Sequence, residues 1–157
     1  MATLNKHVKS DKVKWVITLL VGLLLIGAII GLFIKLDRQT STTTIGGEAY
    51  SIGLIDDTGA NESGDTAIYL REAITTDGLT CKLAKDAKIS YQLFYYDADG
   101  KFLSASDVMT ADFDSSDIPE GAESVRIMIT PTDDEDGKVT FTEVLGYANQ
   151  LIVTVNR

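Results

Sequence analysis

Residues Trp15 to Ile34 read WVITLLVGLLLIGAIIGLFI, twenty consecutive positions without a charge, a proline or an amide side chain. As a helix rising about 1.5 Å per residue, such a run is roughly 30 Å long, the thickness of a bilayer's hydrocarbon core. It holds no ionisable group and no Asn or Gln, so a proton relay or ion path has nothing to work with, and the span reads as an anchor. Trp15 stands where an interfacial aromatic belongs. Gly27 and Gly31 form a GxxxG pair, whose small residues let two helices approach closely and would permit a homodimer through the span. Glycine is common in membrane helices, so the pair does not by itself demand a dimer.

Charge divides sharply at this run. Residues 1–36 carry five lysines against Asp11, a net +4, whereas residues 37–157 carry 9 basic and 22 acidic residues, a net −13. Four lysines precede the span closely, which by the positive-inside rule puts the N-terminus in the cytoplasm and the acidic domain outside. The run is longer than the apolar core of a signal peptide, and Ile34-Lys35-Leu36-Asp37-Arg38 offers no small-residue cleavage site. The expected location is therefore the cell membrane, single-pass, with the bilayer as partner of residues 15–34. A domain of −13 repels phosphate backbones, which argues against nucleic-acid binding.

The organisation that follows is a basic cytoplasmic tail over 1–14, a transmembrane helix over 15–34, a Ser/Thr/Gly-rich linker over 35–47 and an extracytoplasmic domain over 48–157. In that domain the apolar period becomes two. Tyr50, Ile52 and Leu54 alternate, as do Ile68 and Leu70, then Leu79, Cys81 and Leu83, then Ile89, Tyr91, Leu93 and Tyr95. Val125, Ile127 and Ile129 continue the pattern, and Leu151, Val153 and Val155 complete it. Turn signals separate the stripes at Thr76-Asp77-Gly78, Asp97-Ala98-Asp99-Gly100, Pro119-Glu120-Gly121 and the acidic run from Asp133 to Gly137. Residues Asp56 to Gly64 read as a plain loop. The chain is thus mainly β, an N-terminal transmembrane helix followed by a jelly-roll-like antiparallel β-sandwich.

Little in this domain carries reaction chemistry. His7, in the tail, is the single histidine, so Ser-His and Cys-His catalysis and imidazole zinc sites are not available to the outer domain. Cys81, the only cysteine, lies among inward apolar positions and reads as an inert core thiol. No catalytic residues, no enzyme activity and no cofactor are assigned. Calcium is the one ion the acidic turns bring into question, with Asp97 and Asp99 as its ligands in a D-x-D-G turn. The same residues are what an ordinary hairpin turn requires, and no twelve-residue calcium loop is present, so a plain turn is the preferred reading. Aromatic residues give a second lead. In the stretch 88–96, Phe94 and Tyr96 oppose the Ile89, Tyr91, Leu93, Tyr95 face, as Arg126 and Tyr69 oppose their own apolar stripes. If those stripes are the core, Tyr69, Phe94, Tyr96 and Arg126 form an outward aromatic-plus-Arg face able to bind a ligand; the alternative is that both faces are covered.

The segment YQLFYYDADGKFLSAS, with Tyr96-Asp97 turning back through Asp99-Gly100, and the later Ile118-Pro119-Glu120-Gly121-Ala122 leading into Val125-Arg126-Ile127, resemble galactose-binding-like and carbohydrate-binding β-sandwich modules. The likeness covers residues 88–131. It implies a sandwich fold and a glycan ligand, although no catalytic domain accompanies the module here. A basic tail, one span and such a domain also resemble small membrane proteins of Gram-positive prophages.

Together these readings describe a membrane-anchored, non-catalytic surface binding module for a glycan or an envelope protein, of phage or prophage style. The alternative is a holin-like membrane-active phage protein in which the span itself is the functional element.

Overall fold

The period-two stripes become strands because alternation places every second side chain on one face, where burial of each large apolar group is worth about 1.5–3 kcal/mol. The structure, a computed structural model, describes residues 41–133 and 137–156. The expected membrane span, with Trp15, Gly27 and Gly31, and the acidic residues Asp134 to Asp136 lie outside the described residues. Among the described residues, no helix is long and apolar enough to cross a membrane.

In chain order the strands are β1 (Thr42–Thr44), β2 (Tyr50–Ile52), β3 (Leu54–Ile55), β4 (Asn61–Glu62), β5 (Ile68–Leu70) and β6 (Ile74–Thr75). They continue with β7 (Thr80–Leu83), β8 (Ile89–Tyr96), β9 (Phe102–Ala105), β10 (Ser124–Pro131) and β11 (Leu151–Asn156), with one short helix, α1 (Val144–Ala148), before the last. The fold is mainly β, and every strand pairing is antiparallel. One sheet runs β1-β11-β7; a larger one runs β2-β5-β10-β8-β9, with β6 also on β10; β3 and β4 make a separate hairpin.

Side chains from both larger sheets fill one core. Ile68, Leu70, Tyr91, Leu93, Tyr95, Val125, Ile127 and Ile129 come from the larger sheet, and Cys81, Leu151, Val153 and Val155 from the smaller. The inward faces are the expected ones except at Leu54, which is half-buried and leaves burial to its neighbour Ile55. On the outer face of the smaller sheet, the Thr80 and Thr154 hydroxyls hydrogen-bond across the strands at 2.6 Å.

Three local expectations change. The compact unit begins at Ser41, not at residue 48, because Thr42 to Thr44 pair with Thr154 to Asn156. Three successive β-branched threonines suit a strand on an open sheet edge, so the linker read over 35–47 gives its last residues to the domain. The plain loop read over 56–64 contains a hairpin arm, Leu54 opposite Glu62 and Ile55 opposite Asn61. Finally, α1 interrupts what read as an all-strand domain.

Candidate functional site

The four ligand-site residues expected from sequence do meet, with Phe94 and Tyr96 buried and Tyr69 and Arg126 half-buried. Arg126 pairs with Phe94 across β10 and β8, and Tyr69 pairs with Met128 across β5 and β10, so all four stand on the outer face of the larger sheet. There Phe94 (2 % exposed) and Tyr96 (7 % exposed) form a second, smaller core with Ile55, backed by Tyr69, Phe102 and Met128. The outward aromatic face is therefore covered. The covering element is the β3–β4 hairpin, which lays Ile55 on the rings. Three aromatic rings left in water would forfeit several times the burial energy of one side chain, and the hairpin recovers it.

Polar groups in this small core serve the cover. The Tyr96 hydroxyl donates to the Gly59 carbonyl at the hairpin tip, 2.6 Å away. Arg126 Nε donates to Leu70 O at 3.0 Å, and the guanidinium carbon lies 5.0 Å from the Tyr69 ring centroid, a cation–π contact. Its Nη2 is buried without a hydrogen bond. Burial raises the Tyr96 hydroxyl above its ordinary pKa, and the Arg126 charge opposes part of that rise.

Asp97 and Asp99 sit in a turn whose carboxylate work is internal. Asp97 Oδ1 accepts from Asp99 N (3.0 Å) and Lys101 N (2.9 Å), while Gly100 N donates to Asp97 O. The hairpin tip repeats the design: Asp56 Oδ1 accepts from Thr58 N, Thr58 Oγ1 and Ala60 N, and Gly59 N donates to Asp56 O. Both are D-x-x-G loops in which the Asp side chain replaces a missing backbone partner. The Thr58 hydroxyl and the backbone of Ala60 hold the Asp56 carboxyl below its ordinary pKa. Among the described residues, no three His, Cys, Asp or Glu side chains cluster as a metal site.

Cys81 is fully buried and free. Burial pushes its thiol up to about 12, far from the thiolate that nucleophilic chemistry uses.

The outstanding surface feature lies elsewhere. Phe141 is 87 % exposed and Leu145, on α1, 54 %. Both line a cleft of about 420 Å³ together with Val144, Ile52, Tyr50 and Gly47, with Glu48 and Arg71 at its margin. Phe141 is not a loose tip. Thr140 N and Oγ1 both donate to Glu143 Oε2 (2.8 and 2.6 Å), and Glu143 N donates to Thr140 O, which closes a turn with Phe141 at its apex. The same bonds, the Thr140 hydroxyl first, hold the Glu143 carboxyl below its ordinary pKa. Arg71 donates from Nε to Ala49 O (3.4 Å) and from Nη2 to Glu48 O, bracing the 3-10 turn Gly47–Ala49 at the other side of the cleft.

Sequence reasoning missed this place, although Thr140-Phe141-Thr142-Glu143 carries the T-x-x-E capping signature and frames an aromatic residue. A preformed apolar concavity with an aromatic rim can hold one or two large side chains of a partner. No protein family, no curated protein and no solved structure matches this chain.

Proposed function

We propose that this chain is a membrane-anchored, non-catalytic binding module that holds a protein ligand at the cell envelope. In this reading residues 15–34 anchor the chain with its N-terminus in the cytoplasm, and the outer domain is a two-sheet sandwich of jelly-roll kind. The observation that carries the reading is Phe141, almost wholly exposed at the apex of a hydrogen-bonded turn beside an apolar cleft. A surface aromatic presented on an ordered turn beside a concavity is the arrangement of an interaction anchor, since the backbone that carries it needs no ordering when the partner arrives. A glycan ligand has less support, because Phe94 and Tyr96, which would stack on a sugar ring, are interior.

A photo-crosslinking amino acid at position 141, in the full chain expressed in cells, tests the reading. A discrete protein adduct is expected there, lost when Leu145 is changed to Asp and absent when the crosslinker replaces the exposed Leu103. Equal labelling at 103, or no adduct at 141, would overturn it. Calcium chelation is expected to leave the adduct unchanged. Two further outcomes bear on the anchor. Protease added to intact cells is expected to remove the domain and spare the basic tail. Expression of residues 1–40 alone is expected to leave the membrane potential intact; depolarisation would make the span the active, holin-like element.

A further inference from the structure

The cleft beside Phe141 contains an unpaired sheet edge as well as apolar side chains. β2 is the last strand of the larger sheet and, among the described residues, pairs only with β5. The flanking bonds, Arg71 N to Ala49 O and Gly53 N to Ala67 O, fix which residues face β5. By the antiparallel alternation Ser51 then bonds to β5, whereas Tyr50 and Ile52 direct their N–H and C=O groups away from it. The Tyr50 N–H is taken by the Gly47 carbonyl. The open edge therefore presents one donor, Ile52 N–H, and two acceptors, Ile52 C=O and Tyr50 C=O, within the stretch that lines the cleft. Across the cleft stand Val144, Leu145 and Phe141, with α1 packed on the Gly47–Ala49 turn and on β2.

We propose that this edge binds an extended segment of a basic partner protein by strand addition, with an apolar side chain of that segment seated in the cleft. The inference rests on the protein-binding reading above and adds the form and chemistry of the ligand. An incoming strand satisfies all three edge groups through its backbone, and its alternate side chains then fall on the Phe141–Leu145 side. The charge of the partner follows from that of the domain. Residues 41–157 carry 8 basic against 21 acidic residues, a net −13, which attracts Lys- or Arg-flanked segments and repels a second copy of this chain. With three edge groups on two residues available, the segment is short and the complex exchanges readily.

The test selects from a yeast-displayed random heptapeptide library on the full-length chain in detergent micelles. Enriched peptides are expected to carry apolar residues at alternate positions with Lys or Arg at the ends, and to bind Phe141→Ala at least about tenfold more weakly. Phe141 is exposed, so that variant keeps its fold. The enriched peptides are then resynthesised with single backbone N-methyl groups. Binding is expected to fall about tenfold or more at two positions, two residues apart, whose N–H groups meet the Tyr50 and Ile52 carbonyls, and to change less than about twofold elsewhere, the signature of a strand with one hydrogen-bonding edge. Uniform tolerance of N-methylation, with Phe141 still required, would overturn strand addition and leave the protein-binding reading standing. No enrichment, or peptides indifferent to Phe141, would overturn both. Self-association abolished by Phe141→Ala would put a second copy on the edge and overturn the basic partner.

Discussion

The Tyr96 hydroxyl ties the β3–β4 hairpin to the sheet below it, and Gly59 makes that tie geometrically feasible. Gly59 has φ +78, and a Cβ there would meet the Phe102 ring. Gly59→Val is therefore expected to cost about 1–3 kcal/mol, by strain and by lifting the tip off the aromatic rings, measured as a lower urea midpoint. Tyr96→Phe should cost less, about 1 kcal/mol, since only the bond to Gly59 O is lost. The buried acids set an alkaline limit. Burial pushes Cys81 from 9.0 and Tyr95 from 10.0 up to about 12, and raises Tyr50 and Tyr91 as well. Each group keeps its proton more tightly folded than unfolded. Above about pH 9 the unfolded chain releases protons that the folded chain retains, so this contribution is complete below pH 9 and is lost as pH climbs toward 12. Urea midpoints should accordingly fall between pH 9 and about 11, and a thiol reagent at about pH 8 should label Cys81 only in denaturant.

Among the elements, the core strands were legible in the sequence, whereas the short strands β1, β4, β6 and β9 and the pieces around them were not. The stripes from Ile89 to Tyr95 and from Val125 to Ile129 declared their inward faces by strict alternation, and those residues do form the core. Nothing in the period of β8 could show that its other face is covered as well, because the cover comes from a hairpin distant in sequence. That hairpin has two residue pairs and the polar arm Asn61-Glu62, too short for any period. The same limit hid α1, whose five residues make little more than one helical turn. The turn before it was readable, since Thr140 and Glu143 form a T-x-x-E motif in which the Glu143 carboxylate accepts from Thr140 N and Oγ1. Glu143→Ala should lower the melting temperature slightly yet weaken ligand capture more, since Phe141 loses the turn that presents it. A thermal melt beside the crosslinking yield at position 141 separates the two effects.

For the whole molecule, charge is the property that sequence stated most fully. A domain of net −13 draws a basic partner from a distance, and ions screen that attraction over about 8 Å at physiological strength. Peptide association with the full chain should slow by about tenfold or more between low and roughly 0.5 M salt, while dissociation, set by the cleft, changes little. A stopped-flow series in salt reads both rates. The place of binding was not legible at this scale, because it arises where β2, the Gly47–Ala49 turn and the Thr140–Glu143 turn meet, segments about ninety residues apart in the chain. Thr42 lies opposite Asn156, so the polypeptide enters the folded unit beside the last strand. A pull applied at residue 41 would be borne first by the three pairs joining β1 to β11, and detaching them would free only a few residues while the core strands remain joined. Under the proposed anchor, the short threonine strand is the first part to yield under load, before the core strands separate.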